Sequence, residues 1–251
     1  MVSRVELTSY IDALLDVKKF KDYAPNGLQV EGKDTINAIV TGVSACQALI
    51  DKAIKLNADA ILVHHGFFWK NESPTIEGMK KNRIQSLLAN DINLLGYHLP
   101  LDAHIEYGNN AQLAKKLKIS DAKPVVGIAQ DLIWQGVLKV PVAAENFAAT
   151  IDHALDRKPL FFGNTSNKIS RVAWCTGGAQ DYINIAADLG VDAFISGEVS
   201  EKTYYQALEQ GMVYFSAGHH ATEKFGIQAL GEHLASKFDL RHAFVDMPNP
   251  V

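Results

Sequence analysis

Ala60-Ile61-Leu62-Val63-His64-His65-Gly66 is the stretch from which the rest of the chain can be read. A short run rich in branched apolar residues reads as a strand buried in a parallel sheet, and open α/β sheets bind ligands at the carboxyl ends of such strands. Here that end carries two adjacent imidazoles and a glycine. Successive strand side chains point to opposite faces, so His64 and His65 do not easily serve one ligand from a regular strand. They suit two neighbouring metal ions, one each. The competing reading packs one histidine in the core and leaves the other in water.

Outward from this run, helical and strand patterns alternate. Residues 4 to 19 carry Val5, Ile11, Leu14, Leu15 and Val17 among polar neighbours, which predicts an opening amphipathic helix. The stretch from Asp22 to Gly27 breaks it; Asn26-Gly27 is a turn signal, and Leu28-Gln29-Val30 follows as a short strand. Residues 36–43, 59–64 and 92–98 read as strands, with helices over 45–56 and over 76–90, the second with a basic face. A further helix runs from Asn109, as its cap, to Leu117. Pro124, Gly127, Gly136 and Pro141 punctuate short apolar runs that suit a strand pair, and residues 143–155 are again helical. Such alternation predicts an α/β fold with a parallel sheet.

The order then repeats. Shifted by 133 positions, Ile36 to His65 lies on Ile169 to Glu198 without a gap, with Gln47 on Gln180, Ala53 on Ala186, Leu56 on Leu189 and Asp59-Ala60 on Asp192-Ala193. A shift of 121 lays His98-Leu99-Pro100-Leu101-Asp102 on His219-His220-Ala221-Thr222-Glu223, both of the form His-x-x-x-carboxylate. The expectation is an internal duplication: two similar α/β domains, 1–125 and 126–251, offering matching strand ends to a metal site in the cleft between them.

Composition sets the outer limits. In 251 residues, 47% hydrophobic and 21% charged content is ordinary for a globular protein with a sizeable core. The N-terminus lacks the apolar stretch of a signal peptide, and no apolar run approaches the ~18 residues of a membrane span, so a cytoplasmic protein without membrane contact is expected. A net charge of −4 argues against sequence-independent nucleic-acid binding as the main task. Lys80, Lys81 and Arg83, with Lys70 nearby, form a compact basic cluster that reads as a solvated helix face. Cys46 and Cys175 are too few and too far apart for a zinc or redox motif and are expected as buried thiols.

Five of the nine histidines, His64, His65, His98, His219 and His220, fall at expected strand ends, with Asp102, Glu198 and Glu223 alongside. Imidazole nitrogen with carboxylate oxygen suits zinc, iron or manganese, and carboxylates can bridge two cations. Each residue has a plainer role open to it. His98 can be a hydrogen-bonded core residue, Asp102 a turn cap, and Glu198 either a general base or the cap of the next helix. Of His219 and His220 one is expected to ligate, and the i, i+4 relation to Glu223 favours His219.

Ala24 to Gly32, Val63-His64-His65-Gly66, His98 to Asp102, Gly108-Asn109-Asn110, Ser196-Gly197-Glu198 and Gly218 to Glu223, taken in order, resemble the Ngg-one-interacting-factor-three-like family. Its bacterial members are known as GTP cyclohydrolase I type 2 homologues or dinuclear metal-centre proteins. The resemblance implies a two-domain α/β subunit with two divalent metal ions, assembled into a toroidal homohexamer. It puts the metal ligands on His64, His65, Asp102, His219 and Glu223, none of them substituted here. It also implies a metal-dependent hydrolase opening the imidazole ring of a purine nucleotide, with Glu198 and His98 shuttling protons. The sequence has no Gly-x-x-x-x-Gly-Lys-Ser/Thr phosphate loop, and no guanine pocket can be read from it. The alternative is a metal-binding scaffold whose ring serves a protein or nucleic-acid partner.

Overall fold

The computed structural model describes residues 1–251. The first elements are β1 (Val2–Ser3), α1 (Arg4–Leu14), β2 (Gly27–Val30), β3 (Thr35–Ile36), β4 (Ala38–Ser44), α2 (Gln47–Lys55), β5 (Ala60–His65), α3 (Gly78–Ala89), β6 (Asn93–Gly96), α4 (Leu99–Ala103) and α5 (Asn109–Lys116). Then come β7 (Ser120–Pro124), β8 (Trp134–Val142), α6 (Ala144–Leu155), β9 (Leu160–Gly163), β10 (Ile169–Trp174), α7 (Ile183–Asp188), β11 (Ala193–Ser196), α8 (Glu201–Glu209), β12 (Val213–Ser216), α9 (His219–Phe238) and β13 (Arg241–Phe244). The opening helix is shorter than expected: Asp16 adopts a left-handed conformation (φ 50°), and only a 3-10 turn, Val17–Lys19, continues the chain. No helix is long and apolar enough to cross a membrane.

Two compact units result, and they divide elsewhere than at 125/126. The first comprises residues 1–101 and 226–247, the second 102–225 and 248–251. Two pairings set the division: β7 joins β8, and with it α5 packs into the second unit's core, while β13 returns late in the chain to pair in parallel with β4. With it, Ile227, Leu230 and Leu234 of α9 join the first unit's core.

In the first unit the sheet order is β13-β4-β5-β6-β2, all parallel except β2, which runs antiparallel along the β6 edge. Side-chain alternation sorts β5 between two cores. Ala60 and Leu62 pack with α1 and α9 residues such as Leu7, Ile11 and Leu230. Ile61 and Val63 pack with Leu49, Ile50 and Ala53 of α2 and Leu87 of α3. Both faces are covered, which explains the uninterrupted apolar run.

The second unit's sheet is β7-β8-β10-β11-β12-β9, with β10, β11 and β12 parallel and the other strands antiparallel to their neighbours. The expected strand pair is β7 and β8. Trp134, Trp174, Phe147 and Phe215 belong to its core.

The same four-strand order, β4-β5-β6-β2 and β10-β11-β12-β9, recurs in the two sheets with matching register. Ala60 pairs Asn93 and Val63 pairs Gly96; Ala193 pairs Val213 and Ser196 pairs Ser216. Gly27 pairs Gly96, as Leu160 pairs Ser216. These pairings keep the offset of 133 for β5 and β11 but set it at 120 for β6 and β12, one less than the His-x-x-x-carboxylate match requires. Asp59 accepts from the backbone N–H of Asn37 and Ala38 (2.9 and 3.1 Å), and Asp192 from those of Ser170 and Arg171 (both 2.8 Å), again 133 apart. The two aspartates thus fix the starts of β5 and β11 in the same way.

Candidate metal centre

In the first unit, β6 ends at Gly96, opposite Val63, so the last two residues of β5 run beyond the neighbouring strand on that side. His64 and His65 do not splay apart there: their ring centroids lie 4.4 Å apart. His98 joins them, 5.1 and 5.5 Å from the two rings. One ligand nitrogen from each of His64, His65 and His98 lies within 4.8 Å of the others, a group that could hold a metal ion.

Each ring is held from behind. His64 is buried, and its Nδ1 lies 3.0 Å from the carbonyl oxygen of Tyr97. A carbonyl can only accept, so Nδ1 carries the proton and Nε2 keeps the lone pair a cation needs. His65 Nδ1 pairs with Ser44 Oγ at 3.2 Å. His98 Nδ1 pairs with Asp22 Oδ1 at 2.9 Å, and the His98 amide donates to Asn26 Oδ1 at 2.7 Å. Asp22 also accepts from the Asn26 side chain and from the Tyr23, Ala24 and Leu99 amides. Burial would raise the Asp22 carboxyl, but His98 and these donors hold it well below the usual carboxylate range.

In the second unit, His219 opens α9 and Glu223 follows one turn later, with 3.2 Å between His219 Nε2 and Glu223 Oε2. His219 Nδ1 faces Glu198 Oε1 at 2.6 Å. Burial alone would lower the His219 pKa, yet Glu223 and Glu198 together push it up to about 9. Glu198 is not the cap of the following helix: Ser200 caps α8, paired with Thr203 in a capping box. Gly177 makes room for the pair. Its φ is +69°, and a Cβ there would stand 2.1 Å from Glu223 Oε1 and 3.1 Å from His219 Nε2. Of the neighbouring histidines, His219 is the one paired at i, i+4 with Glu223.

Asp102, also in the second unit, is buried and accepts from Asn109 Nδ2 (2.8 Å) and Thr176 Oγ1 (3.2 Å). Asn109 is therefore not a helix cap; Gly108 holds that position, and the Asn109 amide is spent on the carboxylate. Asn110 ties the loop to the segment just past β10 by bonds to the Asp102 and Leu132 carbonyls and from the Thr176 amide.

A family model described as Duf34/NIF3 (NGG1p interacting factor 3) matches residues 2–250. The chain belongs to this family. It is 55% identical to the GTP cyclohydrolase 1 type 2 homolog of Escherichia coli (strain K12) over 251 residues, covering 100% of both chains. A Pasteurella multocida protein of the same name is 54% identical over the same length, again covering 100% of both. Among solved structures, a protein of unknown function called ybgI gives a TM-score of 0.96 at 54% identity, and TTHA1606 from Thermus thermophilus gives 0.89 at 32%. Each covers 100% of this chain and of its own.

Asp22, Asn26, Ser44 and Thr176, which hold the histidines and Asp102 in place, carry no mark of that role in the sequence. Asp22 opens the break in the chain and Asn26 belongs to the Asn26-Gly27 turn, a signal that by itself says only that the chain breaks there. Asn109 and Asn110 stand within a motif whose sequence suggests helix capping alone. Both cysteines are free thiols, Cys175 buried and Cys46 only half-buried. Burial, with Asp102 and Glu223 nearby, pushes the Cys175 thiol far up, so it stays protonated.

Proposed function

We infer that the chain is a metal-dependent hydrolase with a dinuclear divalent centre, acting on a purine nucleotide ring in the manner of a GTP cyclohydrolase. The proposed ligands are His64, His65, Asp102, His219 and Glu223, holding two ions of zinc, iron or manganese. The donor set fits such ions: imidazole nitrogen and carboxylate oxygen are their usual ligands. The observation that carries the reading is the backing of the rings. His64 Nδ1 is tied to the Tyr97 carbonyl, which leaves its Nε2 with the lone pair a cation needs; His219 Nδ1 is tied to Glu198, which fixes that ring with Nε2 against Glu223, where a cation would take the place of the Nε2 proton. The name GTP cyclohydrolase 1 type 2 homolog, borne by relatives 55% identical, supports the choice of substrate.

Bound divalent ions supply Lewis acidity at the attacked carbon and an activated water at neutral pH. The chain's own residues do the rest. Glu198 orients His219 by accepting a hydrogen bond from its Nδ1–H, so that Nε2 would face a bound ion. His98, with Asp22 fixing its Nδ1, presents Nε2 as the proton shuttle. The working assembly is a toroidal homohexamer in the cytoplasm. The test is reconstitution with zinc, iron or manganese followed by incubation with GTP. Loss of purine absorbance supports the reading; unchanged absorbance with two ions bound per chain removes it.

A further inference from the structure

A cavity of about 450 Å³ in the first unit opens beside the imidazole cluster, and of its lining residues only Asp22 enters the chemistry above. It lies between the turn that carries Asp22 and Tyr23 and the segment following β5, where Phe68, Trp69, Lys70 and Glu72 contribute, with Lys80 from α3. Its size suits a small molecule.

Trp69 links the cavity to the histidines. Its ring centroid is 5.9 Å from His65 and 5.4 Å from His98, edge-on to the latter at 86°. Tyr23 lies 5.8 Å from Trp69 in a near-parallel arrangement and 5.0 Å from His98. Tyr23 is 56% exposed, so an aromatic surface faces water next to groups that attract chemistry. Exposed rings of this kind are stacking platforms for flat heterocycles. The Lys70 amide donates to the Tyr23 carbonyl at 2.9 Å, which ties the two walls together.

The charges in the cavity divide by role. Asp22 is already committed to His98, Asn26 and three backbone amides. Lys80 stands 5.2 Å from the Phe68 ring and donates to the Ser73 carbonyl at 3.1 Å, an uncharged acceptor that an anionic phosphate oxygen can replace. Arg83, by contrast, lies over Phe67 and is not part of the lining. The basic cluster of the sequence is therefore split, and Lys70 and Lys80 alone are turned to the cavity, with Glu72 as the one uncommitted acid.

We propose that this cavity binds the substrate as a purine nucleotide: the base stacks on the Tyr23–Trp69 pair, the phosphates meet Lys70 and Lys80, and the Glu72 carboxylate accepts N–H groups from the edge of the base. The assignment rests on the hydrolase reading of the neighbouring histidines and adds to it the means of recognition. Lysines here replace the missing glycine-rich phosphate loop as the anion-binding element. A base with N–H donors on its Watson–Crick edge, as guanine has, satisfies Glu72; adenine, whose ring nitrogen at that edge is an acceptor, satisfies it less well.

The test is made on the full chain after chelation, so that it does not depend on metal. Trp134 and Trp174 are buried, so accessible indole emission comes from Trp69. GTP should quench that emission saturably. By isothermal titration, Trp69→Ala should weaken GTP binding about tenfold or more, and Trp69→Phe should restore most of it. Lys70→Ala with Lys80→Ala should weaken GTP but not guanosine, and Glu72→Gln should narrow the preference for GTP over ATP. Equal GTP affinity in wild type and Trp69→Ala, or no GTP binding by folded wild-type protein, overturns the assignment. Metal content, read separately by elemental analysis, tests the hydrolase reading: a wild-type chain that binds GTP at Trp69 but holds no divalent ion refutes the metal centre and leaves the pocket standing.

Discussion

Asp59→Asn tests the reasoning about how β5 is anchored. The Asp59 carboxylate accepts Lys33 Nζ at 2.8 Å and the Asn37 and Ala38 amides at 2.9 and 3.1 Å. Asparagine keeps one oxygen for the two amides but loses the charge and presents an NH₂ group to the ammonium. The half-exposed lysine pair contributes at most about 1 kcal/mol. Each backbone bond falls from charge-assisted to neutral, about 1 kcal/mol apiece. The expected loss is therefore roughly 2–3 kcal/mol, read by urea unfolding at pH 7 and by faster hydrogen exchange at Asn37 and Ala38. Asp192→Asn, where two backbone bonds set the scale, should cost about 2 kcal/mol.

A pH titration adds a second reading. Burial would raise the Asp59 carboxyl, but Lys33 and the Asn37 and Ala38 amides outweigh it and hold the pKa below 3.8. The unfolded chain thus takes up the proton first as pH falls, and the stability due to Asp59 is present above pH 3.8 and lost as pH drops through the folded value. The gap between wild type and Asp59→Asn should narrow over that window. A gap under about 0.5 kcal/mol at pH 7, or one that stays constant down through the carboxylate range, refutes the anchoring.

Glu198→Gln should reduce divalent-ion affinity 10- to 100-fold, on the order seen when a ligand's backing partner is lost, with far-UV circular dichroism unchanged. Retained ions with lost turnover would instead make Glu198 a base. Gly177→Ala places a Cβ 2.1 Å from Glu223 Oε1 at a φ of +69°, so it should cost about 1–3 kcal/mol and lower the metal content measured by elemental analysis. His242, hydrogen-bonded to Thr41 Oγ1 at 2.8 Å, has its pKa lowered by burial, only partly countered by Glu232. Stability should therefore rise with pH from the lowered value up to 6.5, and His242→Gln should flatten that rise in urea unfolding at pH 5 and 7.5.

What the sequence made legible follows from the range over which each interaction acts. The run at 60–65 announced a buried parallel strand because burial on both faces writes itself into consecutive residues. Asp59 and Asp192 stood out as a matched pair because they hold equivalent positions in matched strands. The boundary between units was hidden because it depends on β7 pairing with β8 and on β13 finding β4 from about two hundred residues away, and strands of four or five residues carry no mark of their partners. The ring-backing residues were hidden for the same reason: Asp22 serves His98, and Thr176 serves Asp102, only once the chain has folded. The strand-end geometry of His64 and His65 also departed from simple alternation, because β6 stops at Gly96 and leaves the last residues of β5 without a neighbour on that side.

The matched register explains why the candidate ligands are not two copies of one arrangement. At the offset of 133, His64 and His65 correspond to Gly197 and Glu198. Gly197 cannot carry a ligand side chain, because a Cβ there would fall 2.6 Å from His219 Cα. With that position closed, the imidazole of the second unit comes from the first turn of α9, and the segment just past β11 supplies Glu198, which holds the ring by Nδ1. In the first unit the imidazole comes from the strand, and the backing comes from the Tyr97 carbonyl. A histidine placed at Gly197 would therefore not build a second copy of the first unit's arrangement; it would drive α9 away from β11 and cost the second unit His219 as well.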